Sequence, residues 1–411
     1  MASPAIHAEA VVSSVIDTQH DIVPTRPSAV RPPARIQRAW AVPLAVVGFG
    51  LILLVLVSSV LSAELVAENA KGDEAPYALV PADATAVAPR ISFDAVERHP
   101  ANGDILFVTV REPAVTLLDW FVADEDLAVV PRSRDDKFGV QTAEQKRQVN
   151  QVMMRTAKQN AEFVALSYLG YPAEIIEGEI IVGQLLCFEA NDDGSECVKS
   201  VPADDVLDAG DQLLEVDGRP LSLLEDLEKV LLGLEPGDTV EVRFDRPGEG
   251  ELTGDVELIE SPTEEERTII GFSPFDTATA ELPFEVSIDS GEIGGPSAGL
   301  AFTLTLIDEL TPGELTGGRN IAVTGTIDIE GNVGAIGGLA SKTSAVRQMG
   351  VEIFIVPTSQ GEEDIAKARL VAGDDVEIIP VATLEEALAA LAERGGNGLE
   401  LGQPGEDYRP A

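Results

Sequence analysis

Two residues in the C-terminal part of this chain carry types and spacing that could do chemistry: Ser297 and Lys342. Ser297 lies in Gly291–Phe302, which reads GEIGGPSAGLAF. Glycines crowd a loop there, and Pro296 suits the first turn of a helix. Ser297 then falls at a helix start, where free backbone amides and the helix dipole favour negative charge. Gly294 and Gly295 let a substrate carbonyl approach the backbone closely. Acyl transfer needs this arrangement: a hydroxyl beside an oxyanion hole, here drawn from the backbone at Gly294, Gly295 and Ser297. Two other readings compete. One is an ordinary serine near a helix cap. The other is a glycine-rich loop cradling phosphate, but no GxxxxGKS or GxxxxGKT occurs in the chain.

A serine nucleophile needs a base. The three histidines, His7, His20 and His99, all lie in the first quarter. A histidine base therefore requires His99 to fold back onto the site. Lysine is the next option, and the C-terminal segment has Lys342 and Lys367. Lys342 sits in IGGLASKTSAVR, early on an expected helix, with Leu339, Val346 and Met349 as an apolar setting. Burial there lowers an amine's pKa toward neutrality, as a general base requires. Lys367 follows Glu363 by four residues, and a solvated ion pair on a helix explains it better.

The elements that must position these residues come from a chain of 411 residues, long enough for two or three domains. Its net charge is −43, which argues against nucleic acid or anionic lipid headgroups as main partners. Two cysteines and no histidine cluster leave no expected metal site or cofactor. Residues 1–39 read as a flexible tail. The run 40–63, WAVPLAVVGFGLILLVLVSSVLSA, is uncharged and long enough to span about 30 Å of hydrocarbon as a helix. Arginines at 26, 31, 35 and 38 keep its N-terminal side in the cytoplasm. A signal peptide or a buried core helix are the alternatives. Residues 64–169 form a membrane-proximal region with a strand over 104–110 and a helix over 142–169. Apolar positions at Val149, Val152, Met153, Ala157 and Ala161 set the helical face. In 170–260, short strands and turns dominate. Cys187 and Cys197 flank an NDDG turn and form a candidate disulfide, against two free thiols. After a charged linker (261–270), strands and helices alternate over 271–395 as an α/β domain. The last segment, 396–411, reads as a second flexible tail.

Residues 202–221, PADDVLDAGDQLLEVDGRPL, resemble the signature of bacterial protease-associated PDZ modules. The glycine-rich loop that holds a peptide carboxylate in such modules is not visible, and a plain spacer domain is the alternative. The strings GGPSAG, VTGTIDIEGNVGAIGGLASK and VEIFIVP resemble the proteolytic domain of Lon-type serine proteases. That resemblance implies that Ser297 is the nucleophile and Lys342 the general base, and that the Thr324 hydroxyl supports the lysine amine. Lon proteins that use ATP usually carry an acidic residue where Gly294 stands.

The layout is similar to the membrane-anchored PDZ–Lon-type proteases of bacteria. The implied fold is an α/β Lon-type proteolytic domain, preceded by a PDZ-like β-rich domain and one N-terminal transmembrane helix. The implied activity is ATP-independent serine endopeptidase action on accessible or unfolded protein segments outside the cytoplasm. The implied partners are protein or peptide substrates and the cell membrane, with a homo-oligomer left open. The competing function is an inactive PDZ scaffold at the membrane.

Overall fold

The computed structural model describes residues 36–63, 66–94, 96–123, 126–138, 143–176, 178–190, 197–222, 224–261, 267–276 and 279–397. Most of the two expected tails, the NDDG turn at 191–194 and half of the charged linker lie outside them. The chain divides into two units, 1–54 and 55–411. Helix α1 covers Ile36–Ser58, so it starts and ends earlier than the span expected over 40–63. It stops where the Ser58 and Ser59 hydroxyls donate back to the carbonyls of Val55 and Leu56, and Ala63 is already buried with Ala67, Ala75 and Ala78. Large apolar side chains from Val42 to Val57 are exposed. Among the described residues no helix is long and apolar enough to cross a membrane.

Strands β1 (Tyr77–Ala86) and β2 (Ile105–Arg111) are followed by β3 (Val130–Arg132) and the long helix α2 (Ala143–Tyr168). The PDZ-like part contributes β4 (Ile180–Leu185), β5 (Gln212–Val216), α3 (Leu224–Leu231), β6 (Thr239–Arg246), β7 (Gly250–Glu257) and β8 (Phe272–Asp276). The C-terminal part supplies α4 (Gly299–Leu310), β9 (Ile321–Val323), α5 (Leu339–Gln348), β10 (Ile353–Pro357), α6 (Glu362–Ala372), β11 (Glu377–Val381) and α7 (Leu384–Ala392).

The expected separation of 64–169 from the C-terminal domain does not hold. One sheet runs β11–β10–β9–β2–β1–β3 and joins both segments. β9 pairs in parallel with β2, with Ile321, Ala322 and Val323 opposite Ile105, Leu106 and Phe107. The physical reason is an open edge. The C-terminal segment alone has three parallel strands, and β9 is buried throughout; without β2 its backbone groups would lack partners. Alternate β2 residues then feed two cores, as strand periodicity requires. Ile105 and Phe107 pack with Leu300, Phe302 and Leu304 of α4, whereas Leu106 and Val108 pack with Leu339 and Val346 of α5. Every residue of α4 is buried, and α2 lies against it. The buried stripe of α2 runs through Met154, Ala157, Ala161 and Ala165, while Met153 is turned outward.

The PDZ-like sheet runs β7–β6–β5–β4–β8, all antiparallel. Its last strand, β8, was expected inside the C-terminal domain. It instead pairs with β4, with Phe272 opposite Leu185, because Ile270 and Phe272 bury their side chains in the PDZ-like core. Arg246 clamps the buried Asp211 carboxylate with two hydrogen bonds of 3.0 and 2.7 Å, fixing the turn before β5. A disulfide joins Cys187 and Cys197 across a short hairpin, with Cα atoms 5.6 Å apart.

Candidate active site

The turn that carries the candidate nucleophile Ser297 precedes α4 and is laced to two other parts of the fold. Gly295 has φ +87°, which favours glycine. Its amide donates to the Asn150 carbonyl of α2 at 2.8 Å. A Cβ on Gly294 would come within 2.8 Å of Asn150 Cβ. Close packing on α2 at Gly294 and the positive φ at Gly295 thus explain why two glycines precede Pro296. On the other side, the Ser297 carbonyl accepts from the Gly325 amide at 3.0 Å and from Thr324 Oγ1 at 3.1 Å. The Leu300 amide returns a bond to the Gly325 carbonyl at 3.1 Å.

Helix α5 delivers Lys342 to the same place. Its Nζ lies 2.8 Å from Ser297 Oγ and 3.0 Å from Thr324 Oγ1. Thr324 follows β9 directly, and its amide donates to the Ile355 carbonyl of β10, so the sheet fixes its position. Lys342 is only 2% exposed, and Thr324 is fully buried. No carboxylate pairs with the amine among the described residues. Burial therefore lowers its pKa from the ordinary value of 10.5 to about 7. The arrangement is a half-exposed hydroxyl beside an amine that is substantially neutral at physiological pH. That suits general-base activation of a nucleophile.

The structure brings Ser297, Thr324 and Lys342 together. One amide of the set expected at an oxyanion hole is engaged within the fold. The Gly295 amide is already used by Asn150. The amides of Ser297 and Ala298, at the head of α4, have no hydrogen-bond partner among the described residues. His99 is elsewhere: its amide donates to the Glu309 carbonyl, near the far end of α4 and about 18 Å along that helix from Ser297. Lys367 makes no ion pair with Glu363 among the described residues. No group of three or more metal-ligating side chains occurs among them either.

Sequence reasoning missed Asn150, whose contribution is a backbone carbonyl and has no side-chain signature. It also missed the apolar cleft of about 1250 Å³ that opens beside the turn and is lined by α2, α3, β8, Pro296 and Ile327.

Two segments of the chain resemble known protein families. Residues 285–394 match the Lon protease (S16) C-terminal proteolytic domain, and residues 169–258 match the PDZ domain. A Lon protease of Azospirillum brasilense is 29% identical over 203 residues, which are 46% of this chain and 25% of that protein. An archaeal Lon protease of Methanocaldococcus jannaschii is 33% identical over 124 residues, which are 29% and 18% respectively. The PDZ domain of an SdrC-like protein from Listeria monocytogenes is 24% identical, covering 24% of this chain and 88% of that one, at a TM-score of 0.18. The chain therefore carries a PDZ domain and a Lon-type serine peptidase domain. It spans a quarter or less of the length of the first curated relatives it matches.

Proposed function

We propose that this chain is an ATP-independent endopeptidase working through a Ser297–Lys342 dyad, tethered by its N-terminal apolar run, residues 40–63, to the outer face of a cell membrane. One observation carries the catalytic reading: a buried amine, unpaired with any carboxylate among the described residues, 2.8 Å from a half-exposed serine hydroxyl. Neutral Lys342 takes the proton of Ser297 as Oγ attacks a peptide carbonyl carbon. The carbonyl oxygen becomes an oxyanion, held by the amides of Ser297 and Ala298. As the C–N bond breaks, the Lys342 ammonium returns the proton to the leaving amine. Water, deprotonated by the same amine, then attacks the acyl-enzyme and regenerates the serine. Thr324 accepts from the amine and so orients it; it is a positioning residue.

Independence from ATP is supported by the absence of a phosphate-binding loop in the 411 residues. Acting without ATP, the peptidase would take flexible or unfolded segments of proteins and peptides as substrates. Tethering is supported by the exposed apolar side chains of α1 and the arginines before it. The Cys187–Cys197 disulfide favours an oxidising compartment.

Purified protein should cleave β-casein, and Ser297→Ala or Lys342→Ala should abolish cleavage with the fold intact. Absence of both cleavage and fluorophosphonate labelling in the unmutated protein would favour an inactive PDZ scaffold. In bacterial spheroplasts, added protease should digest the C-terminal part; its protection would overturn the outward orientation.

A further inference from the structure

The cleft of about 1250 Å³ beside the nucleophile turn is larger than the roughly 300–1,000 Å³ typical of small-molecule pockets. Its walls come from parts of the chain far apart in sequence. Met153 stands on α2, Leu227 and Leu231 on α3, and Phe272 on β8. Pro296, the residue bonded to Ser297, is among the residues that line it. The lining is mainly aliphatic and aromatic, although the chain as a whole carries a charge of −43.

Two large apolar side chains on different walls remain open to solvent: Met153 is 45% exposed, and Leu232, just past α3, is 77% exposed. Neither is needed for the core. β8 adds a backbone feature. It is the outer strand of the PDZ-like sheet, paired with β4 on one side only among the described residues. An edge strand offers its free carbonyl groups, and in β8 its amides except at Pro274, to an incoming extended chain.

We infer that this cleft is a polypeptide-binding site that takes an extended, apolar substrate segment flanking the scissile bond. The assignment of the bound chain as substrate rests on the peptidase reading above. Several residues of extended chain fit the volume. Their apolar side chains meet α2 and α3, and their backbone runs beside β8. Continuity with the nucleophile turn decides for a substrate segment over an unrelated apolar ligand, because an occupant seated against Pro296 is delivered to Ser297. The PDZ domain then acts as one wall of the substrate site, and Met153 and Leu232 select for apolar sequence.

Binding can be read without turnover. Full-length Ser297→Ala protein should bind fluorescein-labelled β-casein, measured by fluorescence anisotropy. Adding Met153→Glu or Leu232→Glu should weaken binding about tenfold each, because a carboxylate would be desolvated against apolar sequence. The uncharged Met153→Gln and Leu232→Gln should weaken it less. Leu370→Glu, at an apolar position 72% exposed on α6 and outside the cleft, should bind as the parent does. Thermal melting of each variant checks the fold. Unchanged binding in both cleft variants, or equal weakening by Leu370→Glu, overturns the inference. Failure of the peptidase reading looks different: the unmutated protein binds casein at the cleft and leaves it uncut.

Discussion

The Gly295 amide donates to the Asn150 carbonyl at 2.8 Å, tying the nucleophile turn to a helix almost 150 residues earlier in the chain. The peptidase site is therefore held from both sides. The α2 helix, which precedes the PDZ domain, holds Gly294 and Gly295. The Thr324–Gly325 segment, which follows β9, holds the Ser297 carbonyl. The PDZ domain lies in sequence between two pieces of one sheet.

Gly294→Ala tests that contact. The new Cβ would meet Asn150 Cβ at 2.8 Å and the Asn150 carbonyl group at 3.2 Å, so the backbone must shift by several tenths of an ångström. The hydroxyl sits three residues away. Displacement on that scale should lower kcat about tenfold or more, with little change in melting temperature because the position is exposed. Casein turnover compared with the unmutated protein checks it.

Much of the site was legible because side-chain types and spacing are local. GGPSAG announces a glycine-rich turn before a helix, and Lys342 is one of two lysines in the C-terminal segment. The rest depends on backbone contacts between distant segments. Asn150 acts through its carbonyl, so any residue type there would leave the same trace in sequence. Pairing of β9 with β2 joins strands more than 200 residues apart, and a run such as ILFVTV reads equally well as part of a separate domain. β8 was assigned to the wrong side of the linker because Phe272 reads as apolar strand in either sheet. The position of α1 moved because serines at 58 and 59 end the helix where hydropathy alone continues.

Thr324→Val keeps the shape and removes the hydroxyl. The Lys342 amine then loses an acceptor, and the Ser297 carbonyl loses one of its two donors. Activity should fall about tenfold rather than vanish, since the dyad itself remains. Without that acceptor the ammonium form is less favoured, so the acidic limb of the pH–rate profile should move to lower pH. A structural role alone would reduce activity without moving the limb.

The dyad makes a signed pH prediction. Lys342 is active when neutral, and burial places its pKa at about 7. The kcat/KM for a peptide substrate should therefore rise with pH through about 7 along a single-proton limb, then level off. Lys342→Arg should be inactive at every pH, because guanidinium stays protonated. A profile with no limb between about pH 6 and 8 would assign the proton transfer to another group.

Replacing both Cys187 and Cys197 with alanine should destabilise the PDZ domain by about 2–3 kcal/mol, the usual loss for opening a loop of this length. Both cysteines lie in a hairpin outside the sheet that holds Ser297 and Lys342. Fluorophosphonate labelling of Ser297 should proceed at the unmutated rate at a temperature where the protein stays folded. Urea unfolding followed alongside labelling separates the two effects.

Lys342→Met should stabilise the protein, and the gain should depend on pH. In the unfolded chain the amine has its ordinary pKa of 10.5, whereas in the fold burial lowers it to about 7. Between those values the unfolded state binds more protons, so stability of the unmutated protein rises with pH across that window. At pH 7, burying the amine therefore costs on the order of a few kcal/mol, at ~1.4 kcal/mol for each tenfold change in proton affinity. Methionine removes the penalty. It also leaves the Ser297 and Thr324 hydroxyls without their amine partner, a loss of about 1–3 kcal/mol. The net gain at pH 7 should be about 2 kcal/mol, and it should shrink and then reverse as pH approaches 10.5, where the neutral amine is buried without penalty. Urea unfolding of the two proteins at pH 7 and pH 10 measures the difference. Equal differences at both pH values would mean that Lys342 is charged inside the fold, and a charged amine cannot serve as the base for Ser297.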